Sequence, residues 1–586
     1  MRGIESETQI QGSELKLKST SLVAWLLLAA ATNGLSTTHY VDVNSPAPTP
    51  PYTSWAAAAT VIQDAVDAAA AGDEIVVTNG AYPCVNVTKP VAVRSINGPE
   101  WTKVDGHGTN RCVYLSSGAT LSGLTLTNGT GVGGGVFCAS QTAVVSNCLI
   151  VSNAVLPLGI TPYETGYGGG AYQGTLNNCA LAGNSAICGA GAYGSTLNQC
   201  ALSNNFVQNG YAWDGFDSFH TYGGYGAGAY GSALNGCTVT SNSAVGGGGV
   251  AESSLNQCVL VGNLARGSND DIRYNGLGGG CLNSKLNDCV VKANSAIDRG
   301  GGAFGSTLTN CSFTGNSASS GGAAFLCAIV TGTFNANSSA FFDAGVVVYS
   351  TLIGATVAGN DSGVVGSTLY NSVTIFNGEE ASQNYDASSI LNFCCTSPLP
   401  TNGFGNITNA PLFVDLAGGN FRLQSNSPCV NAGNNAYTPT GPDLDGNPRT
   451  VGGTVDIGAY EFQSPASIIS YAWLEQYGFP LDGSADFMDS DGDGMNNWQE
   501  WRCGTDPTDS LSALRLLPPT YTGSNVTIMW QSVVGVNYFL ERSTNPLASA
   551  AFAPLATNIP GQPGITAYQD ANVAGAGIFL YRVGVW

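Results

Sequence analysis

Charged side chains are scarce: only 10% of the 586 residues are Asp, Glu, Lys or Arg, with three histidines and four methionines besides. Eighteen Lys and Arg against 39 Asp and Glu leave a formal charge of −21. That balance excludes the basic patches selected by nucleic acids and anionic membranes. It suits calcium, neutral glycans or plain solubility. Long apolar runs are missing too. Residues 21–32, SLVAWLLLAAAT, follow Lys16 and Lys18 and are too short for a comfortable span, so 1–37 reads as a signal peptide cleaved between Ala31 and Thr38. Glu5, Glu7 and Glu14 make its leading region unusually long, which points to a true start downstream of Met1. No other run of spanning length follows, and a secreted or cell-surface protein is expected. Helix-length segments are lacking in the middle third, where Gly, Asn, Ser and Thr dominate, so leucine-rich and helical repeats are excluded.

What is there is a repeated phrase: TLNNCALAGNSA, TLNQCALSNNF, ALNGCTVTSNSA, SLNQCVLVGNLA, KLNDCVVKANSA, TLTNCSFTGNSA. Its cysteines, Cys148, Cys179, Cys200, Cys237, Cys258, Cys289 and Cys311, are spaced by 31, 21, 37, 21, 31 and 22 residues, a base period of about 21. An Asn follows each by five residues (Asn153, Asn184, Asn205, Asn242, Asn263, Asn294, Asn316), and an apolar residue follows each by two (Ile150, Leu181, Leu202, Val239, Leu260, Val291, Phe313). The second offset is that of two side chains on one face of a strand. Eight residues before most of the cysteines sits a small residue behind glycines (Ala171, Ala192, Ala229, Val250, Cys281, Ala303). A unit this short cannot bury its own face and must stack on its copies. The expectation is a solenoid of short strands with a Gly corner and an Asn corner, the Asn amides bridging successive coils.

The three long spacings hold insertions, VLPLGITPYETGY, FVQNGYAWDGFDSFHTYGGY and LARGSNDDIRYNGL, each between the Asn corner and the glycines. They therefore leave one edge of the solenoid, in alternate coils roughly 10 Å apart, twice the interstrand spacing. Two readings stand: solvated loops, or an aromatic and acidic lip for a sugar chain, with Tyr163, Trp213, Asp214, Asp217, His220 and Tyr274 as the binding candidates. Seventeen cysteines in an exported chain raise the question of disulfides. For the periodic seven the alternative is a column of small apolar core residues. Cys84, Cys112, Cys394 and Cys395 stay open to bridging.

Ahead of the repeats, TSWAAAATVIQDAVDAAAAG reads as a helix capped by Thr53 or Ser54, with Val61, Ile62, Ala65, Val66 and Ala69 as its stripe and Gly72 at its end. It would plug the solenoid's open end. VDGHG and ATLSGLTLTNG follow, and here the chain resembles the pectin-lyase-like right-handed parallel β-helices of secreted bacterial repeat proteins. Further on, PLFVD, FRLQSNSPCVNAG, DLDGNPR and VDIGAYE resemble the module that closes such helices. The resemblance implies an all-β fold with a single-stranded β-helix over 38–463, capped at its N-terminus. A helix with a metal loop over 464–510 and a β-sandwich-like domain over 511–586 complete the expected organisation.

In DSDGDGMNNWQE, Asp489, Asp491 and Asp493 hold positions one, three and five of a twelve-residue loop, with Gly494 at six. Met495 at seven offers its carbonyl, Asn497 stands at nine and Glu500 at twelve. Hard oxygen donors at those offsets wrap one calcium ion. The loop resembles thrombospondin type 3 or dockerin-like loops, and a structural clip is expected. Asn496 at position eight, where paired EF-hands carry an aliphatic, argues against a regulatory pair.

Catalysis of this fold implies a polysaccharide lyase or glycoside hydrolase. Gly106, His107 and Gly108 with the pair Asp270 and Asp271 resemble polygalacturonase motifs but stand in the reverse order, and that assignment is rejected. A lyase base beside acidic residues would draw on Asp270, Asp271, Arg273, Asp298 and Arg299. The competing class is an adhesin or structural surface protein. The expectation is a calcium-containing, monomeric β-helix protein that binds extracellular polysaccharide or cell-surface glycans, with a polysaccharide-degrading enzyme as the alternative.

Overall fold

Stacking of the 21-residue phrase produces parallel ladders. Leu176, Leu197, Leu234, Leu255, Leu286 and Leu308 are register partners in successive coils, without a slip across any insertion. The computed structural model describes residues 36–155, 166–208, 210–213, 219–222, 224–267, 276–341, 345–379, 383–523, 525–544, 552–571, 573 and 578–585. Among these, three parallel sheets run along the axis, of 26, 12 and seven strands, and the fold is a parallel β-helix. One coil shows the plan. Ala192–Tyr193 belongs to the 12-stranded sheet, Thr196–Asn198 and Ala201–Ser203 to the long sheet, and Phe206–Val207 to the seven-stranded sheet.

The predicted columns form the interior. All seven cysteines and the apolar residue two places after each are buried, Ile150, Leu181, Leu202, Val239, Leu260, Val291 and Phe313 completely. Five of the seven thiols, those of Cys148, Cys200, Cys237, Cys258 and Cys289, take a backbone N–H from the preceding coil, as Cys200 Sγ does from Cys179 at 3.4 Å and Cys237 Sγ from Cys200 at 3.4 Å. No cysteine among the described residues is bridged, Cys84, Cys112, Cys394 and Cys395 included. Burial pushes the thiols of Cys138 and Cys394 up to about 12, so they pack as small hydrophobes.

The Asn corner is the strictest column. In each coil the Asn N–H and its Nδ2 both donate to the Oδ1 of the next Asn: Asn205 to Asn242 at 3.0 and 2.9 Å, Asn242 to Asn263 at 3.0 and 3.0 Å, Asn263 to Asn294 at 2.9 and 2.8 Å. The other Nδ2 hydrogen reaches a strand carbonyl, Leu202 O for Asn242. The ladder runs from Asn153 to Asn384, well past the last cysteine of the repeat. At the facing corner the chain passes too close for a side chain. A Cβ on Gly191 would lie 2.4 Å from Gly228 O and 3.1 Å from Asn205 Nδ2.

The N-terminal cap departs from the expected helix. Thr53 and Ser54 cap no α-helix; Trp55–Ala57 is one 3-10 turn, and α1 spans only Ile62–Ala68, with no side-chain cap at its start. Tertiary pairing outweighs helix propensity here, because Ala59 is held extended as a bridge partner of Val41, donating to Tyr40 O at 2.9 Å and accepting from Asp42 N–H at 2.8 Å. The expected stop at Gly72 also moves. Ala69 is already extended, and Lys89 Nζ donates to the carbonyls of Val66, Asp67 and Ala69 at 3.2, 2.9 and 2.7 Å. Ile62, Ala65 and Val66 still enter the helix core and plug its end. Buried His39 fastens this cap, with Nδ1 2.6 Å from Pro51 O and Nε2 3.0 Å from Asp73, whose carboxylate also takes the N–H groups of Thr37 and Ala70.

At the far end, Phe413–Asp415 and Asn420–Leu423 form an antiparallel pair. They pack with Cys429, Ile457 and α2 (Tyr471–Tyr477) in a second apolar core that closes the solenoid. α3 (Asn497–Cys503) follows the acidic loop. Two three-stranded antiparallel sheets then enclose Val526, Ile528, Trp530, Tyr538 and Leu540 as a β-sandwich. Its strands include Leu516–Thr522 and Ala553–Pro560.

Asn242→Leu leaves the N–H and Nδ2 of Asn205 without their acceptor inside the core, and is expected to lower stability by ~1–3 kcal/mol. The readout is the denaturant midpoint, and an unchanged midpoint contradicts the ladder. Burial raises the Asp73 pKa, but hydrogen bonds from His39, Thr37 and Ala70 outweigh it and leave the pKa below the ordinary value. The sign follows: this contribution is complete above the usual carboxylate range and fades as pH falls through the depressed value. Hydrogen exchange over residues 38–60 is therefore expected to accelerate on acidification below about pH 4. In Asp73→Asn it should be fast at neutral pH already.

Candidate functional site

The three insertions all lie between a strand of the seven-stranded sheet and the next strand of the 12-stranded one, after Ala154, Val207 and Ala265 and before Ala171, Ala229 and Cys281. They share one edge. Tyr163, Asp214, Asp217, Asp270, Asp271, Arg273 and Tyr274 lie outside the described residues. Trp213 and His220 stand in an antiparallel hairpin, Gly210–Trp213 with Phe219–Tyr222, opposite Phe219 and Ala212 respectively. Asp298 and Arg299 are on the same edge and occupied with each other, at 3.7 Å, while the guanidinium lies 5.2 Å from the centre of the Phe325 ring. That is a stacked surface pair rather than a base poised beside free carboxylates.

Aromatics that the sequence reading passed over form a column on the outer face of the 12-stranded sheet: Tyr114, Phe137, Tyr172, Tyr193 and Tyr230. Neighbouring centroids are 5.8, 4.9, 5.5 and 5.4 Å apart, with planes within 11° of parallel. The repeated Ala-Tyr dipeptide at 171–172, 192–193 and 229–230 is the signal that could have found it. Because these rings stack on one another, each inner face is already covered and only edges meet solvent. A sugar needs an open aromatic face, so this column serves the fold.

An open face exists further along the insertion edge. The seven-stranded sheet ends with Ser338–Ser339, and the next two coils have no strand there. The step leaves a cleft of about 920 Å³ lined by Phe341, Asn360, Asp361, Glu379, Tyr385 and Asp386 among others. Phe341 is 66% exposed. The Tyr385 hydroxyl is tied to Pro398 O at 3.1 Å. Asp361 accepts from Ser339 N–H at 2.9 Å and from the Ser362 hydroxyl at 3.0 Å. Asp386 is raised by burial, yet hydrogen bonds from Ser388, Ser389 and Gly366 bring its pKa below the ordinary value, so it stays ionised. Glu379 is exposed at the rim. The sequence hides this site, since its residues come from three coils and share no motif.

The second cluster is the acidic loop. Asp489, Asp491 and Asp493 bring one carboxylate oxygen each within 4.8 Å of the others. Backbone N–H groups aim them: Gly492 and Gly494 donate to Asp489 at 2.8 and 3.1 Å, and Met495 to Asp493 at 2.7 Å. Gly494 has φ +96°, a conformation glycine adopts without penalty. Asn496, noted as a departure at position eight, is the N-cap of α3, in a capping box with Gln499. That start turns Asn497 and Glu500, both fully buried, toward the loop. Asp491 Oδ2, Asp493 Oδ2, Asn497 Oδ1 and Glu500 Oε2 are buried without a hydrogen-bond partner among the described residues. Burial, then Asp491 and Asp493, pushes the Glu500 carboxyl up to about 7. An all-oxygen set with four orphaned acceptors fits a hard divalent cation.

Among solved structures, the crystal structure of pectate lyase Pel9A aligns at 14% identity over 74% of this chain and 98% of that one, with a TM-score of 0.30. Alginate lyase from Paenibacillus sp. str. FPU-7 aligns at 13% over 51% and 91%, with a TM-score of 0.21. A mannuronic acid specific polysaccharide family 6 lyase from human gut microbiota aligns at 11% over 57% and 73%, with a TM-score of 0.22. At these TM-scores the likenesses carry no argument about function. No protein-family model matches the chain, and no curated protein does.

Proposed function

We propose that this chain is an exported, monomeric β-helix protein that binds glycan chains along the edge holding the cleft. The observation carrying this reading is the open Phe341 ring beside a carboxylate-lined cleft. Sugar rings offer C–H faces to an aromatic and hydroxyl pairs to carboxylates. The insertions bearing Tyr163, Trp213, Asp214, Asp217, His220 and Tyr274 depart from the same edge, which lengthens the surface available to a chain. Export rests on the leader sequence; among the described residues no helix is long and apolar enough to cross a membrane. Binding is preferred to turnover because a hydrolase needs one carboxyl kept protonated, and the hydrogen bonds on Asp386 act in the opposite direction. Calcium in the acidic loop belongs to the same reading. Asp489, Asp491, Asp493, Asn497, Glu500 and the Met495 carbonyl would hold it, and a bound dication would neutralise the loop and fix α3 against it.

On a polysaccharide panel, binding without release of reducing ends or unsaturated uronates is expected. Phe341→Ala should weaken that binding about tenfold with no change in melting. Product release abolished by Glu379→Gln would overturn the binding role in favour of an enzyme. Calcium at a hundredfold its Kd is expected to stabilise the C-terminal third by ~2.7 kcal/mol. Asp491→Ala combined with Asp493→Ala should remove that increment alone, and equal melting with and without chelator would count against calcium.

A further inference from the structure

We infer that the ion held by the acidic loop is the latch that docks the C-terminal sandwich onto the closed end of the solenoid; this rests on the calcium reading above and carries it from stability to the placement of a domain. The loop is more than a group of acidic residues, because two fully buried side chains on α3 turn toward it with acceptors left over. Asn497 Oδ1 and Glu500 Oε2 have no hydrogen-bond partner among the described residues. Asp491 Oδ2 and Asp493 Oδ2, on the acidic stretch itself, are in the same condition. Two orphaned oxygens thus belong to the loop and two to α3. Acceptors gathered with no donor among them repel at short range in a buried site, and a hard dication reverses the sign of that contact.

The position of α3 makes this contact a joint. Its first residues are stitched to the closing module: Asn497 N–H donates to Met488 O at 2.8 Å, Asn497 Nδ2 to Ala485 O at 2.9 Å and Trp498 N–H to Asp486 O at 2.9 Å. Trp501 packs on the apolar core that closes the solenoid. The other end of α3 meets the sandwich. A Cβ on Gly504, its left-handed C-cap, would lie 3.2 Å from Val533 and 3.4 Å from Val536. Between Cys503, Thr505, Leu514, Ser532, Val533 and Tyr538 a cleft of about 140 Å³ remains, so packing alone does not close the junction. Two side chains of the metal loop bridge it. Met495 Sδ accepts the N–H of Leu514 at 3.4 Å, and Leu514 packs on the sandwich core. The Thr505 hydroxyl donates to Glu500 Oε1 at 3.4 Å, so Glu500 has one oxygen on the turn that leads into the sandwich and the other free for the ion. Without the ion, loop and α3 push apart at the point where both reach the sandwich. With it, they are drawn together. The sandwich has a core of its own in Val526, Ile528, Trp530, Tyr538 and Leu540, so it is released as a folded unit rather than melted.

The experiment takes the full chain in calcium and in chelator. Calorimetry reads calcium binding, small-angle X-ray scattering reads shape, trypsin reads access to the half-buried Arg502 on α3, and hydrogen exchange over Asn525–Ser532 reads the fold of the sandwich. Calcium is expected to bind. Chelation is expected to raise the radius of gyration and to speed cleavage after Arg502 at least about tenfold, while exchange over Asn525–Ser532 stays slow. Asp491→Ala combined with Asp493→Ala should give the chelated shape in both conditions, the slow exchange showing that its sandwich is folded. Calcium binding that leaves the radius of gyration and the Arg502 cleavage rate as they are in chelator would overturn the latch and leave the calcium reading standing. Chelation that opens Asn525–Ser532 to fast exchange would overturn it as well, since the ion would then hold the fold of the sandwich and not its placement. If calorimetry finds no calcium binding, the calcium reading falls and the latch with it.

Discussion

Two donors meeting one amide oxygen, repeated once per coil, is the contact on which the rest of the molecule depends. Each corner Asn gives both its N–H and its Nδ2 to the Oδ1 of the next. This fixes the rise between coils and the backbone bend at once, and leaves no donor of the buried amide unused. The Gly corner opposite can then be drawn in until no Cβ fits. The order of causes matters: the amide ladder sets the spacing, the spacing forbids side chains at the Gly corner, and thiols and leucines fill what remains.

Register follows from the same contact. A slip of one residue would turn the buried leucines out and the strand asparagines in, and every Asn pair would break together. Insertions of ten to sixteen residues therefore cannot disturb the ladder, and all must leave from the one segment where no column is required. That segment lies between the seven-stranded and 12-stranded sheets. The edge carrying the excursions, Asp298 and the cleft is thus the part of each coil that the core leaves free to vary.

What the sequence made legible was whatever repeats or is local. Cys and Asn at fixed offsets gave the columns, and the acidic loop from Asp489 to Glu500 stood out because its oxygen-bearing residues lie within twelve positions. The helix over 53–72 was misread since a long-range bridge from Ala59 to Val41 competes with local propensity and wins. The aromatic column is harder to read because Tyr172 and Tyr193 lie on the outer face, beside the buried Ala171 and Ala192 and outside the periodicity that marks the core. The cleft was illegible for a different reason. It is made by the end of a sheet at Ser338–Ser339, an event with no residue signature, and its lining comes from positions that share chemistry only once the coils are stacked.

A charge-poor solenoid must also account for where its few charges go. Both ends use them to finish the backbone: His39 and Asp73 pin the first coil, and at the closing module buried Arg449 donates to Gly354 O and Gly458 O. Asp456 and Glu461 around it are pushed up by burial while taking the N–H groups of Asn431, Phe462 and Val451. These groups take up backbone donors and acceptors at the end of the solenoid, where no further coil follows to pair them. The acidic loop differs, with four oxygens left over, and the cleft differs again, with carboxylates facing open volume beside an uncovered ring. In a chain that spends charge this sparingly, the buried loop oxygens that no donor among the described residues satisfies are what separate a site built to hold a ligand from charge built only to hold the fold.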